Sequence, residues 1–305
     1  MDKNAIRQKL GEYCARYDSN NKAAASLKVS AGTVSQILNN EWAKIGGKMW
    51  RNIASQVGYT EPDAEWVDID TACYKELTNC LKKAQTGRAM VGITGDAGTG
   101  KTKTIKRFKG DSSNKHVSHI QCCAHFGRRL FLEELLRALG KKDTGLTFPA
   151  MHKEIVRIIN TEPSHDHLII LDEADKLPDP SLNYLLTLHN ALEDDLGNIN
   201  CGIVLIATDH LKIRIDKGVK NNKMGFKEIY SRLGKKIIEL EKSNEIDMKT
   251  IFIENGIEYN GKNKGQINEE IATCGGDLRR IKRKILAMKL DARDREQEQE
   301  QETEN

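Results

Sequence analysis

Residues 95–102 read GDAGTGKT, a glycine-rich segment that ends in a lysine and a threonine. An apolar run at residues 89–94 precedes it and predicts a strand, and the residues after it predict a helix. Glycines at such a junction let backbone N–H groups curl around phosphate oxygens at the N-terminus of the helix. Lys101 then supplies a cation to the β- and γ-phosphates, and the Thr102 hydroxyl binds Mg²⁺. We therefore predict a nucleotide-binding loop made of Gly95, Asp96, Ala97, Gly98, Thr99, Gly100, Lys101 and Thr102.

A pair of carboxylates follows a second apolar run, at residues 168–171. The pair is Asp172 and Glu173, within the sequence DEAD at residues 172–175. A buried strand that ends beside a phosphate-binding loop delivers a carboxylate to the nucleotide, so Asp172 is predicted to hold Mg²⁺ through water. Glu173 is predicted to polarise the attacking water as a general base.

Short apolar runs alternate with helical patterns between residues 76 and 240. This alternation predicts an α/β domain with a parallel sheet and crossover helices. Residues 241–290 show helical patterns alone, so we predict a small helical lid there. The predicted strands lie at 89–94, 117–122, 168–171 and 203–207, and the helical patterns include 128–139, 150–159 and 181–192.

The first 58 residues read as short helices and form a predicted all-α domain. A tight turn precedes the third helix, at about residues 31–38, which is helix-turn-helix spacing. Thr33, Ser35 and Gln36 lie on its polar side and are candidates for contacts in a DNA major groove. The same helices can equally form a domain that contacts a protein, and both readings stay open. Residues 59–75 are predicted as a linker or a short strand that leads into the next domain.

The composition excludes several classes of protein. With 305 residues, 38% hydrophobic and 30% charged, the chain is long enough for about two domains. Its mean hydropathy is −0.57 and it has no apolar run near the ~18 residues of a spanning helix, so we expect a cytoplasmic protein without a secretory signal. Seven cysteines without a C-x-x-C pair fit a reducing compartment.

The charge is unevenly distributed along the chain. The net charge is +4, but residues 296–305 contain five glutamates and no basic residue, so the preceding 295 residues carry +9. A basic folded part permits a polyanionic partner such as nucleic acid. Residues 291–305 are charged and rich in glutamine, and we expect them to be solvated or disordered.

Taken together, the motifs resemble those of the AAA+ ATPases, and within them the chain looks most like the MuB-like target-DNA activators of phage Mu-type transposition. The narrower resemblance rests on the predicted helix-turn-helix, the DEAD sequence, Ser231-Arg232 and Leu278-Arg279. It implies that Arg232 is an arginine finger acting on a neighbouring subunit and that Arg279 senses the γ-phosphate from the lid. Asp209, just after the strand at 203–207, takes the place where the family usually has Asn to hold the attacking water.

The resemblance also implies ATP and Mg²⁺ as cofactors and a homo-oligomer, as a filament or a ring, on double-stranded DNA. It implies delivery of that DNA to a transposase, with no membrane partner. Residues 212–236 support a DNA contact because they hold nine Lys and Arg against two acidic residues. Such a stripe tracks phosphates without reading bases. The candidates in it are Lys212, Arg214, Lys217, Lys220 and Lys223.

Two other functions share these motifs and stay open at this point. A helicase loader or replication-initiation ATPase of the same superfamily has the same loop, carboxylates and arginines. A helix-turn-helix regulator that uses nucleotide only as a conformational switch is the second. ATP turnover that is abolished by Glu173→Gln would exclude such a regulator.

Overall fold

The structure, a computed structural model, describes residues 2–59, 66–111, 116–142, 145–161, 166–193 and 199–303, with side chains as far as residue 295. The chain divides into two compact units, Met1–Val67 and Asp68–Asn305. Among the residues described, no helix combines the length and the apolarity needed to cross a bilayer.

In its described residues, the N-terminal unit consists of four helices around a core of their own. Apolar residues at helical spacing form that core, and Ile6, Leu10, Val34, Ile37 and Trp50 are all fully buried. Their packing gives the unit a hydrophobic core of its own. The helices are α1 (Lys3–Cys14), α2 (Asn20–Ser26), α3 (Ala31–Leu38) and α4 (Gly47–Gln56).

Helix α3 begins where the sequence predicts. The Ser30 hydroxyl accepts a hydrogen bond from the backbone N–H of Thr33 at 3.0 Å, which satisfies one of the free donors of the first turn. Lys28, in the turn before it, has a left-handed backbone with φ +51°. The spacing of α2 and α3 is that of the predicted motif, and its use as a DNA-binding helix-turn-helix stays a prediction.

The second unit contains a five-stranded parallel sheet in the order β2-β3-β4-β1-β5. The four strands predicted from apolar runs are present, each within two residues of its predicted ends. The strands are β1 (Met90–Thr94), β2 (Val117–Gln121), β3 (His167–Asp172), β4 (Cys201–Ala207) and β5 (Ile237–Glu239). Helix α5 (Ala72–Thr86) precedes β1, and the helices between the strands are α6 (Lys101–Gly110), α7 (Arg128–Ala138), α8 (Phe148–Thr161), α9 (Asp179–Ala191), α10 (His210–Lys220) and α11 (Phe226–Arg232).

Helices cover both faces of the sheet, and therefore its central strands are apolar throughout. Every residue of β3 and β4 is buried. Alternate side chains point to opposite faces: Ile169 packs on the side of α7, α8 and α9, and Ile170 on the side of α5 and α6. Because β4 lies between β3 and β1, the loops after these three strands meet at one edge of the sheet.

Three helices follow the sheet, as predicted for the lid. They are α12 (Glu245–Glu254), α13 (Gly261–Thr273) and α14 (Leu278–Thr303). Helix α13 begins at Gly261, whereas the apolar pattern predicts a helix only from Ile267, because residues 261–266 are polar and form the first turns of the helix.

The structure differs from the sequence-based prediction in two places and narrows a third. Strand β5 has no counterpart in the prediction because it is only three residues long and follows two lysines. Of the two alternatives for residues 59–75, a linker or a short strand, residues 66–71 contain no strand, and Thr71 caps α5 by accepting the N–H of Tyr74 at 3.1 Å; residues 60–65 lie outside the described residues. The segment expected to be disordered continues α14 to Thr303, since Glu, Gln and Arg favour helices without a packing partner.

Candidate nucleotide site

The glycine-rich loop lies at the carboxyl edge of the sheet, between β1 and α6. Gly98 and Gly100 have φ values of +84° and +92°, which a residue with a side chain adopts only under strain. Helix α6 begins directly after Gly100, which has no side chain to cap it. Its first N–H groups are thus available to an anion, and the helix dipole favours negative charge there.

Lys101 lies across the loop and is half-buried. Its Nζ donates hydrogen bonds to the carbonyl oxygens of Gly95 and Asp96, at 2.6 and 2.7 Å. Burial lowers the pKa of Lys101, while the nearby Asp172 acts in the opposite direction. The carbonyls that hold the Lys101 ammonium group are neutral. A phosphate group is therefore a suitable ionic partner for Lys101.

The lid helix α14 begins against this loop. Asp277 caps it, with Oδ1 accepting the N–H of Arg279 at 2.9 Å, and the N–H of Leu278 donates to the carbonyl of Gly98 at 3.0 Å. A Cβ at Gly98 would lie 2.0 Å from Asp277 Oδ1, so only glycine fits under the lid. The predicted γ-phosphate sensor, Arg279, is exposed in the first turn of α14, next to the loop.

A second contact joins the lid to the same loop. Lys242, just before α12, forms an ion pair with Asp96, with 2.6 Å between Nζ and Oδ2. Both side chains are about half exposed, so the pair contributes little to stability. It does place a cation at the edge of the phosphate-binding loop.

The two predicted magnesium ligands are in direct contact. Thr102 Oγ1 donates a hydrogen bond to Asp172 Oδ2 at 2.7 Å, and Asp172 is 1% exposed. Burial alone would raise the pKa of Asp172, but the neighbouring His119 and the Thr102 hydroxyl lower it below its ordinary value. An ionised carboxylate beside a hydroxyl is a set of hard oxygen ligands that suits Mg²⁺.

Glu173 stands directly after β3 in a strained conformation. Its φ is +56°, a left-handed value that is uncommon for a residue other than glycine and clusters at functional sites. Lys176 Nζ contacts Glu173 Oε2 at 2.7 Å and orients the carboxylate. Glu173 therefore lies in the turn outside the strand, whereas Asp172 is buried at the end of the strand.

The polar residue that reaches this acidic turn from β4 is Thr208, the residue before Asp209, and the role of Asp209 in holding the attacking water stays a prediction. Thr208 Oγ1 donates a hydrogen bond to Asp175 Oδ2 at 2.6 Å. Strand β4 ends at Ala207, and Asp209 already has helical angles (φ −59°, ψ −15°) at the start of α10, where it is exposed. The signal was present in the sequence, since Thr208 is the first polar residue after the apolar run.

Arg232 lies at the end of α11, away from the carboxyl edge of its own sheet. Its Nη2 donates a hydrogen bond to Asn190 Oδ1 at 2.9 Å, and its Nη1 is 3.6 Å from Glu193 Oε2. The side chain is still 39% exposed. The structure thus holds this arginine at a surface, as a residue that acts on a neighbouring subunit requires.

Three of the five candidates in the basic stripe after β4 pair with carboxylates of the domain itself. Lys212 is paired with Glu239, and Arg214 and Lys223 are both paired with Asp179. The other two candidates, Lys217 and Lys220, are exposed. In the N-terminal unit Ser35 is exposed and Gln36 half-buried, while the Thr33 hydroxyl lies 2.8 Å from that of Ser30.

Residues 84–215 match the family described as AAA domain. The chain contains an AAA domain. The match begins in α5 and ends in α10, so it spans the loop, both carboxylates and Thr208.

The chain as a whole is similar to a transposition protein. It is 26% identical over 267 residues to the Mu-like prophage FluMu DNA transposition protein B of Haemophilus influenzae. This alignment covers 84% of this chain and 86% of that protein, and therefore reaches well beyond the AAA domain.

The AAA domain also has its fold in common with a solved structure. The ADP form of the Aeropyrum pernix ORC2 protein is 18% identical to this chain, with a TM-score of 0.52 over 77% of this chain. The match spans 66% of that structure, so the chain accounts for about two thirds of it. At this identity the likeness concerns the fold alone.

Proposed function

We propose that this protein is an ATPase that binds double-stranded DNA in its ATP state, assembles on it and delivers it to a transposase. The observation that carries the ATPase is the hydrogen bond between Thr102 and Asp172, which joins the phosphate-binding loop to the acidic strand end. The proposed role in transposition is supported by the similarity to the Haemophilus influenzae protein over most of both chains.

Each residue of the site has a distinct proposed task. Lys101 leaves the loop carbonyls to bind the β- and γ-phosphates, and Thr102 and Asp172 hold Mg²⁺. When bound, ATP supplies the phosphoanhydride bond and Mg²⁺ offsets the charge of its phosphates. Glu173 accepts a proton from the attacking water, and Thr208 fixes the acidic turn through Asp175.

The arginines act from outside the loop. We propose that Arg279 contacts the γ-phosphate from the lid, since it stands in the first turn of α14. Arg232 completes the site of a neighbouring copy, with Asn190 holding it in place. A cation aimed at the charge that develops on the transferred phosphoryl group accelerates hydrolysis strongly.

For DNA we favour the N-terminal unit as the contact, through Thr33, Ser35 and Gln36 on α3. Residues 1–58 hold nine basic and four acidic residues, so the unit attracts a phosphate backbone. The basic stripe after β4 is less suited, because three of its five candidates already bind carboxylates of the domain.

The experiment measures binding to a long duplex of arbitrary sequence by fluorescence anisotropy, with ATP, ADP or no nucleotide, and images the same samples by negative-stain electron microscopy. We expect tight binding with ATP alone, together with assemblies on the DNA, and loss of both in Lys101→Ala. Binding to one preferred DNA sequence without nucleotide would instead indicate a helix-turn-helix regulator that uses nucleotide only as a switch.

ATP turnover and strand transfer are then measured separately. Glu173→Gln should abolish turnover and keep ATP binding, and the matched exposed control Glu228→Gln should leave turnover unchanged. Addition of the wild-type protein should stimulate strand transfer by its cognate transposase. A protein that hydrolyses ATP but leaves strand transfer unchanged would contradict the proposed role in transposition.

A further inference from the structure

Arg214 of α10 bridges two points of the segment that runs from Glu173 into α9. Its Nη1 donates a hydrogen bond to the carbonyl oxygen of Asp175 at 3.1 Å, and its Nε donates to Asp179 Oδ1 at 3.0 Å. Its Nη2 contacts the same carboxylate oxygen. We call residues 173–179 the acidic turn, and one guanidinium group therefore joins its backbone to its last carboxylate.

Helix α10 gives Arg214 a fixed base. Leu211 and Ile215 are fully buried, and the helix begins at His210, three residues after the end of β4 at Ala207. The Arg214 side chain is only 25% exposed. Exposed ion pairs contribute little, but a largely buried, planar guanidinium with several charge-assisted bonds is held in one geometry. Arg214 is thus a rigid point on the sheet side of the acidic turn.

The carboxylate that accepts these bonds is kept ionised. Lys223, between α10 and α11, forms a second ion pair with Asp179. Partial burial alone would raise the pKa of Asp179, but Lys223 and Arg214 lower it below its ordinary value. Asp179 also stands in the first turn of α9, where the helix dipole favours negative charge. The acceptor is therefore charged near neutral pH, and the contact with Arg214 is a strong one.

The acidic turn carries the predicted general base in a strained conformation. Glu173 has a φ of +56°, and such a conformation persists only where the surrounding structure holds it. Asp175, two residues further on, is held from two elements at once. Thr208 donates to its side chain from the end of β4, and Arg214 donates to its carbonyl oxygen from α10. Both the backbone and the side chain beside Glu173 are therefore fixed.

We propose that Arg214 is a positioning residue for ATP hydrolysis, which holds Glu173 in place through Asp175 and Asp179. The inference rests on the proposed function, in which Glu173 is the general base. It also separates Arg214 from the other DNA candidates of its helix. A DNA phosphate would have to displace a charged carboxylate from Arg214, whereas Lys217 and Lys220 are exposed.

The test compares full-length Arg214→Ala with the control Arg157→Ala. Arg157, on α8, also makes two hydrogen bonds to one carboxylate, at 2.8 and 2.7 Å, but its partner Glu154 belongs to the same helix. Circular dichroism first shows that each variant is folded. Steady-state hydrolysis then gives kcat and KM, and a fluorescent ADP analogue gives the affinity for nucleotide.

We expect kcat of Arg214→Ala to fall at least about tenfold, because a general base contributes about 10²–10⁴-fold to a rate and a displaced one supplies only part of it. KM and the affinity for the ADP analogue should stay as in the wild type, and Arg157→Ala should keep the wild-type kcat. An equal loss of kcat and of affinity overturns the proposal, since it would show damage to the whole site.

Two further variants test the geometry. Arg214→Lys keeps the charge but cannot hold the carbonyl and the carboxylate together, so its kcat should lie between those of Arg214→Ala and the wild type. This variant also replaces Arg214→Ala if the latter does not fold. Arg214→Ala combined with Thr208→Val should lose less than the product of the two single losses, because both act through Asp175. Independent losses, or a wild-type kcat in Arg214→Lys, overturn the proposal.

Hydrogen–deuterium exchange reads the acidic turn without reference to turnover. The N–H of Lys176 donates to the carbonyl oxygen of Glu173 at 2.9 Å, and this amide should exchange faster in Arg214→Ala. The phosphate-binding loop, residues 95–102, should exchange as in the wild type. Unchanged exchange at Lys176 overturns the proposal.

The remaining outcomes separate this role from the proposed function. A wild type that hydrolyses no ATP contradicts the proposed ATPase, whereas an active wild type with normal kcat in Arg214→Ala overturns only the role of Arg214. Weaker binding of a DNA duplex by Arg214→Ala, together with a wild-type kcat, would identify Arg214 as a DNA contact and would overturn the proposal.

Discussion

A single glycine, Gly98, connects the phosphate-binding loop to the lid. Its sequence context predicts a loop residue that lies close to phosphate, and the structure adds the reason for its size, because Asp277 fills the space where a side chain would begin. The residue therefore serves two surfaces at once, one towards the nucleotide and one towards the lid.

Replacing this glycine should disturb both surfaces. Gly98→Ala places a methyl group at a φ of +84° and against Asp277, and we expect a loss of about 1–3 kcal/mol in the free energy of unfolding. Affinity for a fluorescent ADP analogue should fall at least tenfold. Gly110→Ala is the control, since a Cβ there meets nothing within 4 Å. Wild-type affinity in Gly98→Ala would contradict this account.

The hydroxyl of Thr208 supports a second prediction about a single residue. Thr208→Val keeps the shape of the side chain but removes the hydrogen bond to Asp175, so the acidic turn loses one support. We expect kcat to fall about tenfold, which corresponds to about 1.4 kcal/mol, with affinity for the ADP analogue unchanged. Asp209→Ala tests the role predicted for Asp209 from the sequence, and a larger fall in kcat for Asp209→Ala than for Thr208→Val would support Asp209 as the residue that holds the attacking water.

Most of the candidate site was predictable from single motifs, and the rest was not. Lys101, Thr102, Asp172 and Glu173 follow from the loop pattern and from a carboxylate pair after an apolar run. The contacts within the site depend on strand order, because β4 must lie beside β3 before Thr208 can meet Asp175. One sequence does not reveal that order.

At the level of elements, predictability followed the strength of the apolar pattern. Strands β1 to β4 are nearly continuous apolar runs because both faces of the sheet are covered. Strand β5 is too short to form a pattern. The end of α14 has no apolar residue after Ala292, so hydrophobic periodicity cannot predict a helix there. The residues themselves favour a helix.

The N-terminal cap of α14 is the element whose change should be simplest to interpret. Asp277→Ala removes the acceptor for the N–H of Arg279, and loss of such a cap costs about 1 kcal/mol. We expect this decrease in urea unfolding, together with faster release of the ADP analogue in stopped-flow fluorescence. Asp291→Ala, in the exposed part of the same helix, is the control. Equal release rates in both variants would show that the cap does not hold the lid.

For the whole molecule, the position of Arg232 predicts that active sites are shared between copies. Glu173→Gln should lack the general base but keep a working arginine, and Arg232→Ala should have the opposite defect. Each variant alone should be inactive, and mixing them should restore a measurable ATPase rate because some interfaces then combine an intact site with an intact arginine. Normal turnover by Arg232→Ala, or a mixture that stays inactive, would remove the role in trans.

The hydrogen bond between Leu278 and Gly98 has a kinetic consequence. In the proposed ATPase cycle, we expect release of ADP to require the first turn of α14 to open, because that turn is bonded to the phosphate-binding loop. Opening of helix ends is among the least costly local unfolding events in a protein, and it is much faster than global unfolding. We therefore expect the time for which ADP stays bound to depend on how often this helix end opens. Small changes in the first turn of α14 would then lengthen or shorten each ATPase cycle.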